Sequence, residues 1–439
     1  MKIYNYKQIA IISFPVMMSV LVEQLINITD AIFLGRVGEV EVGAAGLAGI
    51  YYLALYMCGF GFCLGMQILI ARCNGGKKYH STGLTFFQGL FFLITLSLLF
   101  IALSFSFTPV LLKKVISSPD VLRAADSYLQ WRNWGLLFAF PALAFRSFFV
   151  GILRTKVMTL NAIAMVCTNL VMNYLLIYGH AGFPALGIKG AAIASSFSEL
   201  VSLLVYVIYI LTKVDKQKYG LTCTFDRKVF SEVCKLSLWS MLHSFVAVAP
   251  WFLFFIAVEH LGEMQLAIAN IVRSISTFFS VIVNALGGTT SSLVSNLLGA
   301  KSKQEVMPLC RKILKLGYLI GIPLLILAVI FNKEVIGIYS TNPVLIQSAF
   351  WPFVVGVSVF IPGLSGFVYL NAVSGTGNTR FAFVIQAITI ILYMVYLWII
   401  STFFTAPLAI YTAIEHLFVV SLLIMSAIYM KRWVKLASE

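Results

Sequence analysis

Charge is scarce in this sequence. Asp and Glu number 16 and Lys and Arg 31 among 439 residues, so charged residues make up 11%, against about 25% in a soluble domain. With a mean hydropathy of +0.96, that scarcity excludes a water-soluble enzyme. Reactive constellations are missing too. The seven cysteines (58, 63, 73, 167, 223, 234, 310) show no CxxC spacing, which favours packing or inert thiols over metal or redox chemistry. The five histidines are scattered, and neither HExxH, GxSxG nor a close His/Asp pair occurs. A membrane-embedded protease or acyltransferase needs such a group at membrane depth, so no enzyme and no cofactor are expected. A cleavable signal is not expected either: the first apolar run, 9–34, is too long for a signal h-region and lacks a small-residue cleavage motif.

What the chain has is apolar length. Hydrophobic residues make up 60%, and at ~20 residues per membrane helix that supplies about twelve spans. Apolar runs between polar or Gly/Pro breaks fall near 9–34, 44–71, 84–111, 134–153, 157–179, 187–211, 236–258, 265–297, 312–331, 350–373, 381–403 and 408–430. The stretch 113–134, with its SSPD helix start, reads as a short interfacial helix on the outer surface. If the N-terminus is cytoplasmic, 22 basic residues fall inside and 7 outside, with Arg146 and Arg273 within spans. The positive-inside rule then puts both termini in the cytoplasm of a multi-pass protein of the cytoplasmic (inner) membrane. The net charge of +15 is absorbed by topology and calls for no nucleic acid.

The longest polar segment, 213–235, divides the spans six and six, giving lobes at 1–212 and 236–439 joined by a basic cytoplasmic linker. Sliding the halves by 224 residues puts Gly38 and Glu39 on Gly262 and Glu263, Ala45 on Ala269, Leu69 on Leu293, Gly75 on Gly299 and Lys77 on Lys301. Six identities in 42 positions are few, but the register needs no gap. The fold expected is an all-α polytopic membrane protein with twelve transmembrane helices in two pseudo-symmetric six-helix lobes, suited to alternating access by lobe rocking.

A carboxylate inside a membrane helix costs on the order of 3 kcal/mol and usually faces a cavity. The candidates are Glu23 and Asp30 in span 1, Glu199 in span 6 and Glu415 in span 12. Glu39, Glu41, Glu259 and Glu263 fall at or beyond outer ends. Glu23, Asn27 and Asp30 follow i, i+4, i+7 spacing and share a stripe. At ~1.5 Å per residue, Asp30, Asn173, Ser195 and Asn169 lie roughly 7, 9, 12 and 15 Å deep, one band of oxygen-bearing side chains. Such a set suits a protonatable site or a hard cation such as Na⁺ on Asp30, Asn169 and Asn173; an interhelical hydrogen-bond cluster is the structural alternative. Glu23, Glu199 and Glu415 are candidates for a proton relay or substrate contact, or for protonated bundle residues. Span 8 carries Asn270, Arg273, Thr277, Ser280 and Asn284 on one stripe, a wet surface whose Arg273 requires a partner.

Pro15, N27-I-T-D30 and G35-R-V-G in span 1, QILIARCNGG after span 2, N169-L-V-M-N173-Y-L-L-I-Y-G in span 5 and LGIKGAAIASS opening span 6 resemble the multidrug and toxic compound extrusion (MATE) transporters. VEHLGEMQLAIANIV, LVSNLLGAK and SGTGNTR extend the resemblance through the second half. It implies a V-shaped pair of six-helix bundles exporting organic cations and drugs in exchange for H⁺ or Na⁺, with Asp30 as the coupling carboxylate and Asn169, Asn173 and Ser195 beside it. Two departures stand out. Many relatives carry an Asp where this chain has Asn173, and relatives that use a span 7 carboxylate place it inside the helix, where this chain has His243, Trp251 and Phe254. Coupling through the N-terminal lobe is therefore expected, with the ion open.

In the expected cycle Asp30 takes up a proton from outside, the cluster loosens and the drug leaves; with Na⁺ the ion displaces it. The partners expected are small amphiphilic cations and membrane lipids, with the monomer as functional unit. The runner-up is a flippase of lipid-linked sugars from the same superfold, which would favour a cationic cavity and often extra spans.

Overall fold

A computed structural model describes residues 4–116, 118–340, 342–404 and 406–435, with only the backbone at 115, 251, 252, 256 and 259. The first half runs α1 (Tyr6–Gly35), α2 (Glu39–Gly75), α3 (Tyr79–Val115), α4 (Pro119–Arg132), α5 (Leu136–Gly151), α6 (Lys156–Tyr178), α7 (Ile188–Lys213) and a short α8 (Lys216–Tyr219). The second half runs α9 (Arg227–Val246), α10 (Ala249–Glu259), α11 (Glu263–Gly299), α12 (Val306–Ile330), α13 (Asn332–Gly337), α14 (Pro343–Ser348), α15 (Phe350–Ser358), α16 (Phe360–Gly375), α17 (Thr379–Phe403), α18 (Leu408–Thr412) and α19 (Ile414–Lys435). Among the described residues 11 helical stretches are long and apolar enough to cross a membrane. The span expected at 236–258 is not among them because it is divided between α9 and α10 at Ala247–Val248. Pro250, in the first turn of α10, has no N–H to give Val246, which ends α9 there.

The 224-residue register is far sharper in the backbone than in the side chains. Helices α2 and α11 are both 37 residues long and start and stop at equivalent positions. Each ends on a left-handed residue, Lys77 (φ 58°) and Lys301 (φ 59°). The next amide, of Lys78 or Ser302, donates back to the carbonyl of Cys73 or Leu297, each 2.9 Å away, which satisfies carbonyls that the helix end would orphan. A second pair of left-handed residues, Leu153 (φ 60°) and Gly377 (φ 92°), follows the same offset. So do Pro119 and Pro343, each in the first turn of its helix, where the missing N–H costs nothing.

One expected boundary is corrected. The stretch 113–134 is not one separate element: Lys113 and Lys114 close α3, and α4 continues through a single 3-10 turn, Asn133–Gly135, into α5. Pro119–Gly151 is thus one helical stretch that contains an apolar window long enough to cross a membrane. Arg132, counted above with the outer loops, therefore sits in its middle. Ser117 of the SSPD start lies outside the described residues.

Packing divides the chain into two compact units, Met18–Met241 and the remainder. In the first unit, helices approach closely where side chains are absent. A Cβ on Gly59 would meet the Phe140 ring at 2.7 Å, and one on Gly65 would overlap the backbone of Ser237. The basic segment 213–235 is tied to this unit. Gln88 of α3 donates to the Thr224 carbonyl (2.8 Å) and accepts from the Asp226 amide (3.3 Å), and Tyr219 packs edge-on against Tyr79 and Phe148.

Candidate functional site: a carboxylate cluster on a charged cavity

The first unit holds the Asp30 cluster. Asp30 Oδ1 accepts from Asn169 Nδ2 (3.0 Å) and Asn173 Nδ2 (2.6 Å), and Oδ2 accepts from Ser195 Oγ (2.7 Å). The i, i+4 spacing of the two asparagines places both on one face of α6, and Asn173 Nδ2 also donates to Asn169 Oδ1 (3.1 Å). Both asparagines are fully buried. Thr29, which the sequence reading passed over, donates to Asn169 Oδ1 at 3.4 Å. Among the described residues Asn173 Oδ1 is buried without a hydrogen-bond partner. Three helices, α1, α6 and α7, thus converge on one carboxylate through donors alone.

Asp30 and Ser195 line a cavity of about 550 Å³, whose wall also includes Glu23, Asn27, Arg132, Arg146, Glu199 and the tyrosines 52, 56, 128 and 206. Two of its three carboxylates are neutralised. Arg132 makes a bidentate pair with Glu199 (2.7 and 2.8 Å), stacks 3.7 Å over the Tyr52 ring, and the Tyr52 hydroxyl donates to the same carboxylate (2.9 and 3.0 Å). The Arg132 and Glu199 side chains are only 12% and 10% exposed. Arg146 pairs with Glu23 at 2.6 Å. Among the described residues Asp30 has no basic side chain within ion-pair distance. With every group ionised, the three carboxylates and two guanidiniums of the wall sum to one negative charge, and Asn27 lines the same wall.

The remaining candidates lie in the other unit. Arg273 is exposed, stacks 4.6 Å from the Phe255 ring centre and donates to Asn270 Oδ1 at 3.4 Å. Glu415 accepts one hydrogen bond, from Tyr393 Oη at 3.1 Å. The side chains of Trp251 and Glu259 lie outside the described residues. In the 224-residue register Asp30, Asn169, Asn173 and Ser195 correspond to Phe254, Tyr393, Leu397 and Val419, so the cluster occurs in one half only.

Sequence reasoning missed the partners rather than the acids. Arg132 was hidden by its charge, which a hydropathy window reads as loop. Arg146 was visible as an intramembrane Arg, but its partner is 123 residues away in sequence.

Fold and cavity define a class: a polytopic α-helical membrane protein made of a duplicated half, with a charged cavity in the first unit. The MatE family model matches residues 15–175 and 240–399, and the chain belongs to that family. It is 26% identical over 284 residues to "Probable multidrug resistance protein NorM" of Agrobacterium fabrum, covering 63% of this chain and spanning 60% of that relative's length. It is 23% identical over 348 residues to "Multidrug resistance protein NorM" of Vibrio cholerae, covering 76% and 74%. The solved structure titled "Outward-facing conformation of a multidrug resistance MATE family transporter of the MOP superfamily" superposes with a TM-score of 0.91 at 16% identity, over 99% of this chain and 97% of that one. The resemblance drawn from the motifs is borne out, and so is the fold.

Proposed function

We propose that the protein exports small amphiphilic cations across the cytoplasmic membrane by alternating access, in exchange for H⁺ or Na⁺, acting as a monomer with both termini in the cytoplasm. Its relatives' names as multidrug resistance proteins support export of such compounds. The observation that carries the coupling is the charge count of the cavity: Glu23 and Glu199 are matched by Arg146 and Arg132, so Asp30 is the carboxylate to which proton, Na⁺ and cationic substrate are all drawn.

The cluster responds chemically to what Asp30 binds. As a carboxylate it accepts from three side chains at once. Protonation turns one oxygen into a donor that needs an acceptor of its own, which a turned amide or a rotated Ser195 hydroxyl can supply, so the hydrogen-bond pattern of the cluster rearranges. Na⁺ would use the same oxygens, those of Asp30, Asn169 and Asn173, as hard ligands. Protonation removes the charge that strengthens those hydrogen bonds, whereas Na⁺ would replace them by coordination across the same helices; either event rearranges the tie of α1 to α6 and α7, and competition for one negative charge makes ion and drug mutually exclusive. Asn27 and the tyrosines offer the substrate polar and π contacts. A lipid-linked sugar flippase would call for a net cationic cavity, whereas both cavity arginines are already paired.

Proteoliposomes loaded with a fluorescent cation, with pH and Na⁺ gradients imposed separately, test the reading. Asp30→Asn is expected to abolish gradient-driven efflux at unchanged protein level. Wild-type efflux by that variant would sink the assignment, and the gradient that drives the wild type identifies the ion.

A further inference from the structure

Glu415 is the acid for which the mechanism above has no use. It belongs to α19, in the helical stretch Leu408–Lys435 that is long and apolar enough to cross a membrane, and among the described residues no Lys or Arg comes within ion-pair distance of it. The unit's intramembrane arginine, Arg273, is engaged with Phe255 and Asn270 instead. The hydrogen-bond partner that Glu415 has among the described residues is a hydroxyl. From α17, Tyr393 donates to it while itself fully buried. Within α19, His416 Nε2 is 3.1 Å from Ser358 Oγ of α15. In α18, the Thr412 hydroxyl donates to the Ala409 carbonyl, and Tyr411 is buried.

The repeat gives this place a meaning. Tyr393 stands 224 residues beyond Asn169, and α17 and α19 are the counterparts of α6 and α7. Among the described residues each half therefore has one intramembrane carboxylate without a basic partner, and the side chain at the same position of the same helix donates to each, Asn169 to Asp30 and Tyr393 to Glu415. In the first half α1 supplies the acid; in the second, where Phe254 replaces it, α19 does. A phenol suits a group that changes protonation state, because it donates to a carboxylate and, rotated, accepts from a carboxylic acid. A permanently charged Glu with one neutral partner and no cation would incur the insertion penalty, on the order of 3 kcal/mol, without relief.

We propose that Glu415 is a second proton-binding site, carried by the half that lacks the Asp30 cluster. Its use in transport rests on the coupling reading above; its protonation does not. Infrared difference spectra of the full-length protein in liposomes, titrated with pH, read the protonated carboxyl stretch directly. Glu415→Gln is expected to remove one titrating carboxyl band and Asp30→Asn a different one. Tyr393→Phe, which keeps the acid and removes its hydrogen bond, is expected to displace the Glu415 band, and it serves as the test if Glu415→Gln does not fold. A Glu415→Gln spectrum superimposable on wild type, or a Tyr393→Phe spectrum with no displaced band, overturns the proposal. If Asp30→Asn retains full efflux, the coupling reading falls while the band assignment still stands on its own. In an active exchanger, Glu415→Gln also lowers the number of protons taken up per substrate exported.

Discussion

Replacing Glu199 by Gln leaves Arg132 in place, 12% exposed, with no carboxylate against its two short hydrogen bonds. Breaking a buried ion pair from one side costs about 3–5 kcal/mol, because the remaining charge stays desolvated. Arg132 borders a cavity that admits water, so the lower end, about 3 kcal/mol, applies. At roughly 2–4 °C per kcal/mol for a unit of this size, melting should fall by about 6–12 °C, read by intrinsic fluorescence in detergent. The double variant Arg132→Met/Glu199→Leu removes both charges and should recover all but about 1–2 kcal/mol, the residue being the Tyr52 hydroxyl left without its acceptor. Asp120→Asn is the contrast. It breaks a pair whose partners are 79% and 67% exposed, and should change stability by less than about 0.5 kcal/mol. A Glu199→Gln protein that melts within about 1 °C of wild type would refute the reasoning, since it would mean that the pair is already solvated.

Two further changes probe the scaffold. Gly65→Ala places a methyl against the backbone of Ser237, where no side chain can yield. It should cost about 1–3 kcal/mol, visible as a lower melting temperature. Lys301→Gly relieves a left-handed residue (φ 59°) and should gain about 0.5–1 kcal/mol after the entropy that glycine adds to the unfolded chain. Lys301→Ala, which keeps the strain, should gain nothing.

The parts of this fold that the sequence displays are those set by local chemistry. Spans show as apolar runs, and the stripe of Glu23, Asn27 and Asp30 shows as helical spacing. The repeat was barely visible, with six identities in 42 positions, because what recurs is backbone shape. Leu153 and Gly377 share a left-handed turn although nothing in their side chains announces it. The Asp30 neighbours were found because a depth count along three helices happens to preserve register. Partners of Glu23 and Glu199 were not, since a pairing 123 or 67 residues apart depends on how helices rotate against one another, which periodicity does not fix. Arg132 was misplaced for a related reason. Hydropathy treats a charged residue as a break, while its charge is cancelled by Glu199 and its stem and guanidinium lie on Tyr52.

The pairing of both cavity arginines also governs how the protein couples to voltage. With two of three acids cancelled locally, the cavity wall behaves electrically as a single elementary charge. On the proposed coupling, one proton or one monovalent cation at Asp30 cancels that charge, and the cavity of the loaded protein then carries no net charge across the field. The empty, anionic form does: moving one charge through the full field changes its energy by about 2.3 kcal/mol per 100 mV. In the proposed exchange both crossings are made loaded, so a membrane potential acts chiefly on the empty carrier's reorientation, a slip that would uncouple ion from substrate.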